Sequence, residues 1–510
     1  MFARRHVLSV VAAAAALTLG LGACGTGSTG SQSSATSTLT LAAGVEPLSL
    51  DPAQAREAQF GQYFQPLFDT LVRRLPDGKP SPMLAESWKY NAGNTELTLK
   101  LRKGVTFSDG KPFDAEAAKK NLDRFKTAKG PLAAQLAAVA ETEAPDLQTL
   151  IIRLATPDPA LLYNLGGPPG YMQSPGQFAS PDIDTKPAGS GPYQLDRSQS
   201  TPGAQYTFVK TKGYWAPDLQ KFDKIVIKPI LDENARLNAV RSGQADGMIA
   251  TAKSVTEAKK SGNVTVNTVP GDWQGLTLFD RDGTILKELK DVRVRQAISH
   301  AIDKQALLDA VVLGQGKVTD QIVSPTSTGY IPELDSAYPY DVEKAKSLLA
   351  EAGVKSLTLK MPTSADVDPA MSQAIKDQLA KAGVTVEWVD LPAEQYQPEQ
   401  QSGKYAAAFT AFGQSVLPWA NISPLVSPHG AWNPLKTSDP EIATMLKDVQ
   451  NAPEDAIGAE YQKLNEEVVK EAWFVPFFRI NQPYFTSDKV EVEMQAGQPV
   501  PAIYNFAPAS

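Results

Sequence analysis

The sequence predicts an α/β protein built of more than one lobe. Short stretches in which apolar and polar residues alternate, as they do in strands, recur along the chain. Amphipathic helical segments separate them in the second half, and 356–391 combines strand, helix and strand in the order of a βαβ unit. A chain of 510 residues is too long for one ordinary hydrophobic core, so two or three lobes are expected.

The first half of the chain contains more predicted strands than helices. Alternating patterns predict strands at 38–45, 97–107, 149–155, 205–211 and 224–230. Asp114 and Asp232 are predicted N-caps of two helices, because an aspartate before an apolar-periodic run accepts hydrogen bonds from the free N–H groups of the first turn. A further helix is predicted from Tyr63 towards a turn at 76–78.

The second half alternates more regularly between helices and strands. Its first helix is predicted from apolar residues at helical spacing on one face, namely Val294, Ala297, Ile298, Ala301 and Ile302. Asp303 and Asp341 are predicted to cap two further helices, the second of which ends before Gly353. The βαβ unit follows, with its helix at 369–382, and predicts a partly parallel sheet.

The N-terminus has the pattern of an exported protein. Arg4 and Arg5 precede an apolar run from 7 to 21, which is shorter than the about 20 residues of a membrane span. The run ends in Leu-Gly-Ala-Cys, which resembles the bacterial lipobox, so residues 1–23 are predicted to be a signal peptide and Cys24, the only cysteine, to be lipidated. The glycine- and serine-rich residues 24–37 are predicted to be a flexible tether. The mature chain is expected on the extracytoplasmic face of the cell membrane, exported by the general route or, given the paired arginines, by the twin-arginine route.

Composition and charge narrow the function. The chain is 42% hydrophobic and 21% charged, which is typical of a globular soluble protein. Its net charge of −7 argues against a nucleic-acid partner, because such binding depends on clustered Lys and Arg that neutralise phosphates. No second apolar run approaches the length of a membrane span.

Seven motifs occur in an order that resembles one protein family. They are FDTLVRRLPDGKPSPMLAESW, LRKGVTFSDGKPFDAEAAKKNLDRF, PAGSGPYQL, KGYWAPDLQKFDKIVIKPILDENARLNAVRSGQADGMI, DVRVRQAISHAIDKQALLDAVVLGQG, YDVEKAKSLLAEAG and QLAKAGVTVEWVDL. Together they are similar to the family 5 extracellular solute-binding proteins, the oligopeptide, dipeptide and nickel-chelate receptors of ABC importers. The resemblance runs from about residue 40 to residue 485.

The resemblance implies a two-lobed, periplasmic-binding-protein-like clamshell (type II) with an inserted subdomain in the large lobe. The large lobe would take residues 38–57, 188–270 and 483–510, the inserted subdomain 58–187, and the second lobe 271–482. The hinge would be formed by two crossing strands, at 269–280 and 473–485. The family also implies an importer permease and ATPase as partners, a small solute as ligand, and a monomeric chain.

The resemblance places ligand contacts in the cleft, on the crossing strands and on the segment after YAAAFTAF. The candidate ligand-binding residues are Trp273, Phe412, Gln414, Ser415, Trp419, His429, Trp432 and Asn433. Aromatic and amide groups suit a pocket that stacks on a ligand and bonds its polar ends. The alternative for Trp419 and Trp432 is that they pack in the core or in the loop.

The nature of the solute stays open at this point. Peptide is the first choice, since it is the family's commonest substrate, and a metal (nickel) chelate or another polar solute is the alternative. The aspartate that pairs with a peptide ammonium in the family is absent, because the matching residues are 412–415, Phe-Gly-Gln-Ser. The stretches 127–136 and 166–173, where arginines would hold a chelate, contain none, although His429 lies in the loop where a metal ligand can occur.

An enzyme is the main rival class. The predicted mature chain has two histidines, of which His300 lies between apolar neighbours and is expected to pack. No GxSxG elbow occurs, and the Cys and His residues are too few for a zinc site of the usual ligand count. The sequence therefore predicts no catalytic residues, no metal and no cofactor, with a secreted hydrolase as the remaining alternative.

Overall fold

A computed structural model describes residues 37–413, 415–453 and 455–509. Cys24, the predicted signal peptide, the rest of the tether before Ser37, and Gln414 lie outside the described residues. The chain from Ser37 onward forms one compact unit. No helix of the described part combines the length and apolarity that crossing a bilayer requires.

The strands are distributed along the whole described chain. They are β1 (Thr38–Ala43), β2 (Val72–Arg74), β3 (Pro80–Pro82), β4 (Ala85–Tyr90), β5 (Glu96–Leu101), β6 (Val139–Asp146), β7 (Thr149–Leu154), β8 (Tyr193–Leu195), β9 (Tyr206–Lys210), β10 (Lys224–Pro229), β11 (Gly247–Ile249), β12 (Val264–Leu278), β13 (Gly316–Val318), β14 (Leu357–Ser364), β15 (Val384–Leu391), β16 (Ala407–Phe412), β17 (Phe474–Ser487), β18 (Val490–Val492) and β19 (Phe506–Pro508). All five strands predicted in the first half are present, as β1, β5, β7, β9 and β10.

The helices are concentrated in the second half, as predicted. They are α1 (Gly61–Phe64), α2 (Ala115–Thr127), α3 (Leu161–Asn164), α4 (Glu233–Arg241), α5 (Ala252–Lys259), α6 (Val292–His300), α7 (Lys304–Val312), α8 (Val342–Glu351), α9 (Pro369–Lys381), α10 (Ala393–Gln400), α11 (Pro418–Val426), α12 (Pro440–Asn451) and α13 (Ile457–Lys470). The predicted caps Asp114, Asp232, Asp303 and Asp341 each accept a hydrogen bond from a first-turn backbone N–H.

The helix predicted from Tyr63 is wrong beyond Phe64. Pro66 has no N–H to continue the helical ladder, so α1 stops after one turn. The following backbone bonds elsewhere instead, since Leu71 N donates to Gly170 O and Val72 N to Leu165 O. A β2–β3 hairpin around the predicted turn at 76–78 replaces the rest of the helix.

Two long antiparallel strands, β12 and β17, lie next to each other in the main sheet and contain the two predicted crossing segments. The strand order of the main sheet is β16-β12-β17-β11-β1-β10-β9-β8, with β13 added beside β17. The pairing of β12 with β17 shifts register between Pro270 and Trp273, so Gly271 and Asp272 form a bulge. The bulge separates the part of β12 that pairs with residues 481–487 from the part that pairs with residues 474–479.

The βαβ unit predicted at 356–391 is confirmed. Strands β14 and β15 pair in parallel over eight residues, and α9 forms the connection between them. The inner faces of this unit join a core cluster that also contains α6, α7 and parts of β12 and β17. A second cluster packs α11, α12 and α13 around Trp273.

Three further core clusters belong to the other side of the predicted crossing strands: a small one packs α4 and α5 against β11, and two are larger. One contains β5, β7 and α2 and draws all of its fully buried members from residues 71–172, inside the predicted inserted subdomain. The other joins β1, β9 and β10 to residues 63–68 and to the C-terminal segment at 500–506. The lobe boundaries given above stay predictions.

Candidate functional site

A cavity of about 430 Å³ lies between residues 77–163 on one side and residues 326–461 on the other. Leu162 and Tyr163 line it from the predicted inserted subdomain, and Leu417, Ile457 and Tyr461 line it from the predicted second lobe. Such a volume is in the range of pockets that enclose small ligands. Because its walls come from both sides of the crossing strands, any relative movement of the two lobes changes its size.

Contacts at the rim hold the two walls together. Asn94 Nδ2 donates to Ala452 O over 3.1 Å, and Gln450 Nε2 donates to Pro157 O over 3.4 Å. At another point of the rim, the glycine turn at Gly78 touches Val416 so closely that a Cβ on Gly78 would lie 2.4 Å from Val416 Cγ2. The lobes therefore meet on both sides of the cavity.

Two carboxylates line this mostly apolar cavity, and that of Asp77 is paired with Lys79 at 3.0 Å. Asp158 lines it and accepts a hydrogen bond from Ala160 N over 2.9 Å. Burial raises the pKa of Asp158 above its ordinary value, and the backbone hydrogen bond opposes that rise only in part. This cavity can therefore offer a solute both apolar contact and, at Asp158, an acidic group with no ion-pair partner among the described residues.

Three of the predicted site residues meet at a second, smaller cavity of about 150 Å³. The rings of Trp273 and Phe412 lie 5.2 Å apart, and the ring of Trp432 meets Phe412 edge-on at 4.7 Å. Trp273 is fully buried, and its indole Nε1 has no hydrogen-bond partner among the described residues. Trp273 is thus part of the core cluster that packs α11, α12 and α13, while Phe412 and Trp432 are half-buried at the cavity wall.

Two other predicted site residues, Ser415 and Asn433, form hydrogen bonds within the loop that contains them. Ser415 N donates to Asn421 Oδ1, Asn421 Nδ2 donates to Ser415 O, and Leu417 N donates to Ser415 Oγ. Asn433 is buried and donates from Nδ2 to Ser427 O and Thr437 O. These bonds give both residues a role in shaping the loop.

The remaining predicted residues are dispersed. Trp419 is half-buried against the α11–α13 cluster, which fits the packing alternative. His429 is exposed and lines neither the 430 Å³ nor the 150 Å³ cavity. His300 packs as expected, with Nδ1 2.7 Å from Pro339 O and its ring edge-on to Tyr338. Within the described ranges, no three His, Cys, Asp or Glu side chains gather as a metal site.

Sequence reasoning missed an acid close to the segment that lacks the family's aspartate. Asp272 lies in the bulge of β12, and a Cβ built on Gly413 would be 3.8 Å from its Oδ1. Burial raises the pKa of Asp272, and no described residue forms an ion pair with it. The contact between Asp272 and Gly413 joins residues about 140 positions apart, so local sequence patterns could not predict it. The only sequence feature that pointed to Asp272 as a site residue was its position in a predicted crossing strand.

Sequence reasoning also missed a group of arginines. Arg56, Arg73 and Arg74 line one small cavity together with Gly166 and Gly167. The stretch 166–173 contains no arginine of its own, so the guanidinium groups near it come from β2, far earlier in the chain. The Arg-Arg doublet before the turn at 76–78 was the signal that could have found them.

The structure has two parts that are joined by a pair of long strands and enclose a cavity between them. This arrangement defines the class of two-lobed periplasmic binding proteins. The chain belongs to the bacterial extracellular solute-binding proteins of family 5: the model described as "Bacterial extracellular solute-binding proteins, family 5 Middle" matches residues 79–433. Proteins of this family are the substrate-binding components of ABC importers and work outside the cytoplasm.

Individual relatives agree with this assignment. The glutathione-binding protein GsiB of Escherichia coli K12 is 30% identical over 369 residues, which cover 70% of each chain. HbpA2 from Haemophilus parasuis has a similar fold, with a TM-score of 0.83 at 21% identity over 93% of this chain and all of that one. NikA from Brucella suis, solved with Fe(III)-EDTA, has a TM-score of 0.76 at 24% identity, covering 92% and 99%. The curated relatives are solute-binding proteins, which are not enzymes.

Proposed function

We propose that this chain captures a small peptide between its lobes and delivers it to the permease of an ABC importer. The observation that carries the proposal is the cavity of about 430 Å³ with one wall from the inserted subdomain and one from the second lobe. A solute that contacts both walls favours the closed arrangement, because only there are both sets of contacts made. The bulge at 271–272 interrupts the pairing of β12 with β17 and is the place where β12 can bend.

Peptide fits the chemistry of the cavity. Tyr90, Tyr163 and Tyr461 supply aromatic surface, Asn94 an amide and Asp158 an acid, so side chains and backbone of a short peptide find partners. The name of GsiB, which states that it binds the tripeptide glutathione, supports the same choice. A metal chelate is the alternative, which the NikA complex supports. His429 is exposed, so groups other than His429 would have to bind such a chelate.

The remaining features complete the proposal. Cys24 carries the lipid that anchors the chain to the outer face of the cell membrane, and the following residues act as a tether. The chain works as a monomer, docks on a separately encoded permease served by ATPases, and has no catalytic activity of its own. Turnover of a bound solute would contradict this last point.

The deciding experiment combines mass spectrometry with small-angle X-ray scattering. The solute that co-purifies with the chain, released by mild denaturation, is expected to be a peptide of a few residues. Adding it back to the refolded, emptied protein should reduce the radius of gyration. A metal chelate in the released fraction would favour the alternative, and an unchanged radius of gyration at saturation would contradict hinge closure.

A further inference from the structure

A small basic cavity lies beside the interlobe cavity. It has a volume of about 60 Å³ and is lined by Arg56, Arg73 and Arg74, with Gln495 and Gln498 from the C-terminal segment. All of its lining residues come from the predicted large lobe and inserted subdomain. It is therefore complete before any contact with the second lobe forms.

Arg74 is held rigidly and is neutralised. Its Nε donates to Tyr163 O over 2.9 Å, its terminal nitrogen pairs with Glu57 at 3.0 Å, and its guanidinium lies 3.7 Å from the centre of the Tyr163 ring. Gly167 permits this packing, because a Cβ there would lie 2.5 Å from the Arg74 guanidinium and 2.9 Å from the Glu57 carboxylate. The Arg74–Glu57 pair thus forms a fixed wall of the cavity.

Arg73 and Arg56 have no carboxylate partner among the described residues. The Arg73 guanidinium lies 5.1 Å from the centre of the Tyr504 ring, and its Nε is buried without a hydrogen-bond partner. In the part of the chain that the structure describes, no carboxylate comes within ion-pair distance of Arg73 or Arg56. Three guanidinium groups and one carboxylate leave a local excess of positive charge in a protein whose net charge is −7.

The basic cavity adjoins the space where the solute is proposed to bind. Tyr163, on which Arg74 lies, lines the 430 Å³ cavity. On another side, a Cβ on Gly497 would lie 2.9 Å from Val416 N, so the second-lobe loop touches the segment that supplies Gln495 and Gln498. A solute in the interlobe cavity can therefore extend an end towards the arginines.

We propose that Arg73 and Arg56 form a subsite for a carboxylate of the solute, so that the ligands are acidic or carry a free C-terminus. The inference rests on the proposed function for the identity of the larger ligand. A guanidinium presents parallel N–H donors that match the two oxygens of a carboxylate. Stacking on Tyr504 orients that fork, and the unbonded Arg73 Nε supplies a donor that an anion would satisfy.

The test uses probes in matched acidic and neutral forms. They are tri-alanine as free acid and as amide, Glu-Ala-Ala amide, and the non-peptide pair succinate and succinamide. Binding is measured by calorimetry for the peptides and by the rise in thermal midpoint for the small pair. The variants are Arg73→Gln and Arg73→Lys, with Arg197→Gln as a control that removes the same charge at an exposed site with no ion-pair partner among the described residues.

The wild type should prefer acidic probes, and Arg73→Gln should weaken their binding by about tenfold or more while changing neutral probes by less than about threefold. Arg73→Lys should recover part of the loss, and Arg197→Gln should behave as the wild type. Preference for the tri-alanine acid over its amide identifies a C-terminal carboxylate, and preference for Glu-Ala-Ala amide over tri-alanine amide identifies an acidic side chain.

Two outcomes separate this inference from the proposed function. If no peptide binds but succinate stabilises the wild type more than succinamide and the Arg73→Gln variant does not show this difference, the peptide proposal fails and the anion subsite stands. If the wild type shows no preference for acidic over neutral probes, or if Arg73→Gln retains that preference unchanged, the subsite is refuted. Far-ultraviolet circular dichroism and the thermal midpoint of each unliganded variant establish that it is folded.

Discussion

The turn at Gly78 offers a direct test of whether closing the lobes limits binding. Gly78 has φ +85°, and a Cβ added there would lie 2.4, 2.7 and 2.8 Å from Cγ2, Cγ1 and Cβ of Val416 in the second lobe. We predict that Gly78→Ala weakens solute binding, because the new methyl group overlaps Val416 only when the lobes are in contact.

Overpacking of this kind costs about 1–3 kcal/mol. If the whole cost falls on the closed arrangement, the dissociation constant rises by about 5-fold to about 140-fold. An alanine at positive φ also strains its own turn by about 1–2 kcal/mol, whatever its neighbours are. That second effect lowers stability in the open and closed arrangements alike.

The chain contains its own control for this strain. Gly110 lies in a second Asp-Gly-Lys-Pro turn with φ +81°, and a Cβ there would meet nothing within 4 Å. Lys79 N donates to Asp77 Oδ1, and Lys111 N donates to Asp109 Oδ1, so the two turns share their local hydrogen bonding.

Calorimetric titration with the solute identified by mass spectrometry compares the two variants. Gly110→Ala should bind as the wild type does, and Gly78→Ala should bind more weakly. Adding Val416→Ala to Gly78→Ala removes two of the three overlapping atoms and should restore part of the affinity. Equal affinities for Gly78→Ala and Gly110→Ala would refute the reasoning.

Three further predictions concern stability and location. Trp273→Ala should lower the free energy of unfolding by about 3–5 kcal/mol in urea titrations, while Trp273→Phe should cost much less because no described residue accepts a hydrogen bond from the indole N–H. Burial raises the pKa of Asp69 from 3.8 to about 7, so between these pH values the folded state holds a proton that the unfolded state has released. The contribution of Asp69 to stability should therefore fall as the pH rises from about 4 to about 7. The thermal midpoint of Asp69→Asn, plotted against pH, should lack this decrease. Cys24→Ser should move the protein from washed membranes to the medium without changing its affinity for solute, and its retention in membranes would contradict the anchor.

Asp69 also shows how far a motif can be interpreted without the structure. The sequence marks KGYWAPDL as one of the family-like motifs but does not name the partner of its aromatic residues. In the fold, Tyr214 Oη donates to one Asp69 oxygen over 2.6 Å, Trp215 Nε1 donates to the other over 2.9 Å, and Arg102 lies over the Trp215 ring at 4.2 Å. The motif therefore ties residues 214 and 215 to Asp69, and two donors would lose their acceptor if Asp69 were removed.

Patterns within a few residues determined the secondary structure, because caps, alternation and helical spacing act between neighbours in sequence. Asp114, Asp232, Asp303 and Asp341 were identifiable as N-caps for this reason. The same locality explains the one wrong helix, at 65–75, where hydrogen bonds to residues 165 and 170 replaced a helical ladder that Pro66 had interrupted.

The composition of the site was decided by tertiary packing. Phe412, Trp432 and Trp273 are brought together because β16 pairs with β12 and places Phe412 opposite Trp273. Arg74 reaches Gly166 and Gly167 across about 90 residues, and Asp272 reaches Gly413 across about 140. The sequence alone determined the α/β class and the family, since these depend on repeated local patterns and ordered motifs. Which polar groups face the cleft depends on contacts between distant segments, and those contacts exist only once the core has packed.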